Sequence, residues 1–306
     1  MLSNITGILY TGSVHHKNLE SLERDCLNHK IKLVRVLNVD ECKNHSDCNL
    51  FWSFSDFIDP KEIPSHMKIL YGPHLFVLPQ GTLARTSNDV AKEWAKRCCF
   101  VTPSNWVIDS YNECGGLQTP MKALPFSIDL KAVKQSNAEG KTNVFIYSKA
   151  RHPEDLNHVT EILKKRGINF RIFYYGSYQH SEYLAYLQTC KYGLWVGSHE
   201  SQGFGLLEAL ASNVPLIVWD VQSMHQEFAN GRYTYEHLKP KLLTATSAEY
   251  WSSSCGIKFY EAKEFEAALN QMETFQNLYK PRQYVESVLS GNKFIENLEK
   301  IMQSIH

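Results

Sequence analysis

The sequence predicts an α/β chain made of two Rossmann-like domains, each on a parallel sheet, facing each other across a cleft. Three observations carry this. At 306 residues the chain exceeds what one hydrophobic core usually serves. Short apolar, β-branched runs alternate with helix-length segments in both halves. A polar stretch without apolar periodicity, Lys131 to Thr142, separates the two series and reads as a linker. The expected division is a first domain over 1–130, a linker over 131–142, a second domain over 143–280 and a terminal helical segment over 281–306.

In the first series Ile5 to Tyr10 is an apolar strand, and Asn18 to Asn28 a polar helix. Ile31 to Leu37 alternates as a strand does. Leu50 to Phe54, Lys68 to Tyr71 and Leu75 to Leu78 are short apolar runs cut by Asp, Pro and Gly. A helix is expected near Asn88 to Lys96, a strand over Cys98 to Thr102, a helix over Pro103 to Asn112 with proline in its first turn, and a strand over Met121 to Pro125. The second series opens with strand Asn143 to Tyr147. Helix Pro153 to Arg166 follows and stops at Gly167, a C-cap. Strand Ile168 to Tyr175, helix Ser181 to Cys190, strand Tyr192 to Val196, helix Phe204 to Ser212 and strand Val214 to Trp219 complete a βαβαβαβ run. A last helix spans Arg282 to Ile305 after Pro281.

Composition is that of an ordinary globular protein, with 43% hydrophobic and 21% charged residues. Basic and acidic side chains balance at 32 each, so no basic excess points to nucleic acid. No apolar run approaches the roughly 20 residues that span a bilayer, and the N-terminus lacks the pattern of a signal peptide. A cytoplasmic protein is the expectation, with peripheral membrane contact if its acceptor is lipid-linked. Cys98 and Cys99 are expected to be reduced and partly buried in their strand. Cys42, His45 and Cys48 stand at a spacing that could begin a zinc site; a polar loop between strands is the alternative reading.

The segment Gly197-Ser-His-Glu200-Ser-Gln-Gly-Phe-Gly-Leu-Leu-Glu208 carries the chemistry. A strand runs into a polar loop that ends in Gly203, Phe204 and Gly205 and opens a helix. Such a turn presents free backbone N–H groups and a positive dipole end, which suit a phosphate. Glu200 and Glu208 bracket it, and a carboxylate accepts hydroxyl hydrogens. The parts describe a pocket for a ligand that is anionic in one place and rich in hydroxyls in another, as a nucleotide sugar is.

With its seven residues between the glutamates, its glycines and the following Glu208-Ala-Leu-Ala-Ser-Asn-Val-Pro215, this segment resembles the E-x7-E signature of the retaining glycosyltransferases of family 4, which have the GT-B fold. The resemblance is strongest from Asn143 to Asp220 and looser over Thr102 to Trp106 and Leu124 to Asp129. It implies that Glu208 accepts from ribose hydroxyls and that Glu200 lies against the transferred sugar. It also implies that Gly203, Phe204 and Gly205 bring backbone amides to the diphosphate, and that the terminal helix crosses back to the first domain. Lys149, just after the first strand of the second series, occupies the position of a phosphate-binding basic residue. The lysine usual a few residues on is replaced by Pro153-Glu154-Asp155, and Arg151 is the candidate substitute. In the first domain His74 is the candidate catalytic histidine, and Gly12 stands for the glycine loop under the donor phosphates, without the usual paired glycine. His15 and His16 read as exposed.

Beside the resemblance, Tyr175, in the run Tyr174 to Tyr178 at a strand end, could stack on a nucleobase. Thr246 and Ser247 could line the same rim. No Asp-x-Asp triplet occurs, so a metal-free site is expected, with no cofactor beyond a UDP- or GDP-linked donor. The acceptor would be a glycan, a lipid-linked sugar or a protein. An epimerase or phosphorylase on the same architecture, or a non-catalytic module that binds nucleotide sugar or glycan, are the other readings.

Overall fold

The computed structural model describes residues 5–10, 14–73, 96–114, 119–136, 140–237 and 243–305. Two compact units divide the chain: Met1–Ser127 with Gly291–His306, and Ile128–Ser290. The first unit holds a wholly parallel sheet of β1 (Thr6–Tyr10), β2 (Lys32–Val36), β3 (Leu50–Ser53), β4 (Lys68–Tyr71), β5 (Cys98–Thr102) and β6 (Met121–Ala123). The strand order is β2-β1-β3-β4-β5-β6. Helix α1 (His16–Asn28) follows β1 and α2 (Asn105–Glu113) follows β5. Every residue of β3 and β5 is buried, which is why these strands read as unbroken apolar runs rather than alternating ones.

The second unit is the clearer example of physical chemistry dictating topology. Its strands are β7 (Asn143–Lys149), β8 (Phe170–Tyr174), β9 (Cys190–Gly197), β10 (Leu216–Trp219), a small hairpin of β11 (Phe228–Ala229) and β12 (Arg232–Tyr233), and β13 (Gly256–Phe259). The main sheet is parallel in the order β13-β10-β9-β7-β8. Side chains alternate between two cores, as strand geometry requires. Phe145, Tyr147, Trp195, Leu216 and Val218 enter one core with α4 (His180–Leu187), α5 (Phe204–Ala211) and α7 (Pro281–Val288). Val144, Ile146, Leu194, Val196, Ile217 and Trp219 enter the other with α3 (Pro153–Lys165) and α6 (Phe265–Phe275). Helices therefore cover both faces.

Local chemistry sets the element ends. Helix α3 starts at Pro153 with Glu154 and Asp155 in its first turn and ends with Lys164 and Lys165, a charge order that complements its dipole. Gly193, in the middle of β9, lies under the Phe145 ring; a Cβ there would fall 2.1 Å from it, so only glycine lets that ring cross the strand.

Several expectations are corrected. The expected single helix over 282–305 is two, α7 and α8 (Gly291–Ser304). The break lies at Leu289, whose carbonyl accepts from the Ile128 N–H at 3.0 Å instead of from the next helical turn. The stretch expected as a linker is packed where it begins: Val133 is buried, and Arg282 donates to the carbonyls of Leu130, Val133 and Ala211. Pro103 precedes the Ser104 N-cap of α2 rather than standing in its first turn. Cys42 and Cys48 sit in the first unit's apolar core, with Cys42 on a 3-10 turn, not in a solvent-exposed loop. Burial pushes the Cys42 thiol up to about 11. Among the described residues no three His, Cys, Asp or Glu side chains gather as a metal site. Cys98 and Cys99 are free and fully buried rather than partly so. The run Leu75 to Leu78 and the expected helix up to residue 95 lie outside the described residues. Among the described residues no helix is long and apolar enough to cross a membrane.

The Gly193–Phe145 contact makes a sharp prediction. Gly193→Ala is expected to destabilise the protein by about 1–3 kcal/mol through overpacking. Urea unfolding followed by circular dichroism measures this; an unchanged midpoint would refute it.

Candidate functional site

The strand order of the second unit reverses between β7 and β9, because the chain goes outward to β8 and then returns past β7. In open α/β sheets ligands bind outside the carboxyl ends of the strands at such a switch point. Here Lys149, the last residue of β7, is in register with Gly197, the last of β9. The Ser198 N–H donates to the Lys149 carbonyl at 2.8 Å, so the two loops leave the sheet together.

The charged groups are brought together at that point. Lys149 Nζ lies 2.8 Å from Glu200 Oε2, with both side chains largely buried. The same ammonium lies 4.5 Å over the ring of Tyr175, and Tyr175 is tied by its N–H to the Ser148 carbonyl at 3.0 Å while its side chain remains exposed. Gly203 is the N-cap of α5 in the left-handed region (φ 78°), and a Cβ there would lie 3.4 Å from that of Glu200. The turn is thus held against the acid. Phe204 and Gly205 begin the helix.

One turn on, Glu208 is 6% exposed, and its Oε1 is 3.0 Å from Nε2 of His180, the first residue of α4. Beneath Gly205 the rings of Tyr147 and Trp195 stack at 4.0 Å between centroids and 3° between planes. A Cβ on Gly205 would meet Trp195 at 3.4 Å. The Tyr183 hydroxyl donates to the Gly205 carbonyl at 2.9 Å.

Arg151 departs from its expected place. It is 9% exposed and turned inward: Nε pairs with Asp155 at 2.9 Å, Nη1 donates to the carbonyls of Gly197 and Trp219, and the guanidinium lies over the Trp219 ring. Ala150, in the left-handed region (φ 47°), makes the bend between Lys149 and Arg151. Arg151 holds strand ends and is not presented to a phosphate. Asp155, at the place where a second lysine was looked for, is the acid that Arg151 neutralises. His74 and Gly12 lie outside the described residues.

Four residues at the candidate site were not anticipated. His180 is one. Asp220 is a second: 2% exposed at the end of β10, it accepts from Thr246 Oγ1, from the N–H and Oγ of Ser247, from the Val221 N–H, and from Lys258 at 3.0 Å. Thr246 and Ser247 thus turn their hydroxyls inward, and the Thr246 carbonyl accepts from the Glu200 N–H at 3.0 Å. Lys258, the third, comes from β13. The fourth is His199, one-tenth exposed beside Glu200, with Nε2 3.5 Å from Glu227 Oε2. Burial, and then the nearby Lys149 charge, push its imidazole down to about 3, so it is neutral at physiological pH. The signal for Asp220 was its place as the acid closing a strand; nothing local marked His180, His199 or Lys258.

No protein-family model matches the chain, and no curated protein matches its sequence. Among solved structures, the apo form of the lipopolysaccharide outer core galactosyltransferase WaaB superposes with a TM-score of 0.58 at 13% identity, over 98% of this chain and 99% of that one. TarM superposes with a TM-score of 0.51 at 11% identity, over 84% of this chain and 55% of its own. The fold is GT-B-like. The two parallel sheets expected from the strand pattern are those of this fold.

Two measurements test this geometry. Asp220→Ala leaves Lys258 uncompensated and releases the 246–247 segment, and is expected to cost about 3–5 kcal/mol in chemical unfolding. His199 gives a pH signature. Above the ordinary imidazole value of about 6.5 both folded and unfolded states are neutral and nothing is lost. Below it the unfolded chain takes a proton that the folded one refuses. Stability therefore falls as pH drops from about 6.5 towards about 3, by up to about 1.4 kcal/mol per pH unit for this proton. His199→Gln is expected to flatten that slope between pH 7 and 5. Equal slopes in the two proteins would refute the neutral imidazole.

Proposed function

We propose that the protein is a retaining glycosyltransferase that moves a sugar from a nucleotide-sugar donor, UDP- or GDP-linked, to a hydroxyl acceptor. The observation that carries the reading is the pair Glu200 and Glu208 flanking the glycine turn at the switch point of the second unit, with Lys149 bonded to Glu200. The GT-B-like fold, shared with a galactosyltransferase, supports it.

In this reading Glu208 accepts from ribose hydroxyls, and the exposed Tyr175 ring stacks on the base. The N–H groups of the first turn of α5 and the Lys149 ammonium face the diphosphate, where charge builds as the glycosidic bond to it breaks. Glu200 holds sugar hydroxyls and keeps Lys149 at the phosphate. Glu200 is engaged with Lys149, and the buried thiols are pushed up by desolvation, Cys190 to about 12. None of these is an activated nucleophile, so a front-face transfer assisted by the leaving phosphate is the mechanism proposed. The acceptor is a glycan, a lipid-linked sugar or a protein, and no divalent metal is required.

The test is a thermal-shift screen against nucleotides and nucleotide sugars in the presence of a chelator, repeated with Glu208→Ala. A ligand at 100 times its Kd adds about 2.7 kcal/mol of stability. A shift with one nucleotide family, lost in Glu208→Ala, supports the donor site; product anomers read by NMR then test retention. Turnover of donor without acceptor would favour an epimerase, and turnover only with inorganic phosphate a phosphorylase. Binding without any turnover would favour a non-catalytic module. No shift with any member overturns the donor site.

A further inference from the structure

With two residues in each strand, the β11–β12 hairpin would be marginal by itself. Its turn and its neighbours fix it. Asn230 (φ 52°) and Gly231 (φ 78°) make the two-residue turn, and their left-handed conformations match the twist of a hairpin. The Phe228 N–H donates to the Ala150 carbonyl at 2.9 Å, and the Thr234 N–H to the Glu227 carbonyl at 3.0 Å. Glu227 Oε2 lies 3.5 Å from His199 Nε2, and the Tyr235 ring lies 5.8 Å from that of His199. Ala150 follows Lys149 in the chain, and His199 precedes Glu200. The hairpin is therefore fastened to both loops that carry the ion pair of the candidate site.

What the hairpin presents is an aromatic ring. Phe228 and Tyr233 are cross-strand partners, so their side chains share one face, and that of Arg232 takes the other. The Phe228 ring meets that of Tyr233 edge-on at 5.2 Å. His152 lies against both, 4.7 Å from Phe228 and 6.2 Å from Tyr233, at only 18° to the plane of Tyr233. Tyr233 is thus set in place and is still 43% exposed. Polar groups stand beside it: His152 Nδ1 lies 3.8 Å from Glu154 Oε2, and the Glu154 side chain is 86% exposed. A single ring with a carboxylate near its edge is not the contiguous apolar patch of a protein interface. It is the complement of a pyranose, whose C–H face packs on the negative face of an aromatic ring and whose hydroxyls donate to a carboxylate.

We infer that Tyr233 is the platform of an acceptor subsite, stacking a pyranose ring of a glycan beside the transfer site. The inference rests on the proposed transferase reading and deepens it, because it selects a sugar-bearing acceptor over a protein side chain or a plain lipid alcohol. Tyr233 touches no reacting atom; it determines specificity. Its setting suits that task. The ring is held before any ligand arrives, so little side-chain freedom is lost on binding. Its fastenings run to Ala150 and His199, so a sugar resting on it is registered against Lys149 and Glu200 through the backbone.

The experiment reads glycan and nucleotide separately. Wild type, Tyr233→Leu and Tyr233→Phe are applied to an array of oligosaccharides. Kd is then measured by NMR titration for the best-bound oligosaccharide and by calorimetry for the best-bound nucleoside diphosphate. Leucine keeps apolar cover over Phe228 but has no ring, and phenylalanine keeps the ring. Wild type is expected to bind an oligosaccharide, and Tyr233→Leu to bind it about tenfold more weakly, the scale of one stacked ring. Tyr233→Phe is expected to stay within about threefold of wild type, with the nucleotide Kd the same in all three proteins. Unchanged glycan affinity in Tyr233→Leu overturns the subsite, as does an equal loss in Tyr233→Phe or a loss in Tyr233→Leu that the nucleotide shares. So does a wild type that binds nucleotide but no oligosaccharide, or that binds only sugar-free lipid vesicles or an unglycosylated protein. Absence of nucleotide binding by folded wild type overturns the donor site and this inference with it.

Discussion

The Asp220 carboxylate is the constraint on which the acidic loop depends. It lies at the end of β10, inside the protein, and collects donors from Val221, Thr246, Ser247 and Lys258. The sheet already pairs β10 with β13, which carries Lys258, and the carboxylate adds the 246–247 segment to them. Removing such a charge from water is costly, and only several well-aligned donors offset the cost. The consequence reaches the site through one backbone bond, from the Glu200 N–H to the Thr246 carbonyl. The loop after β9, held at Ser198 by the Lys149 carbonyl, is thereby fixed at its acid as well, and that acid meets Lys149.

A second constraint is steric and comes from below. The Tyr147 and Trp195 rings, on neighbouring strands, stack flat, and Gly205 rests on them. With no Cβ at 205 the first turn of α5 comes down onto the rings, and Gly203 takes the left-handed conformation that turns the chain into it. The two glycines therefore have different jobs. Gly203 allows a backbone conformation, and Gly205 allows a close approach. Either way, the first-turn N–H groups and Glu208 end at a height set by the aromatic floor.

Much of the second unit was legible in the sequence because its parallel strands are buried on both faces. Val144 to Tyr147 and Leu216 to Trp219 are continuous apolar runs for that reason. The glycine turn was legible because its residues are local and their spacing is stereotyped. What was not legible depended on residues distant in sequence. Lys149 and Glu200 meet only because β7 and β9 are neighbours in register, and His180 reaches Glu208 only because α4 and α5 share a face of the sheet. The helix break at Leu289 depends on a bond from Ile128, far back in the chain. The hairpin β11–β12 was missed because each strand has only two residues, too few to show a period. Arg151 was misplaced because residue type suggests a phosphate ligand whichever way the side chain turns. A φ of 47° at Ala150 decides the direction, and that is not a property of composition.

The inward turn of Arg151 has a consequence for charge at the switch point. Its guanidinium takes the carbonyls that close β9 and β10 and cancels Asp155, so its charge is spent within the protein. His199, held neutral by burial, adds none. Lys149, the last residue of β7, keeps its ammonium on the Glu200 carboxylate beside the glycine turn. In the proposed donor site the Lys149 ammonium, held by Glu200, and the amides of the first turn of α5 would offer a diphosphate donors of fixed direction.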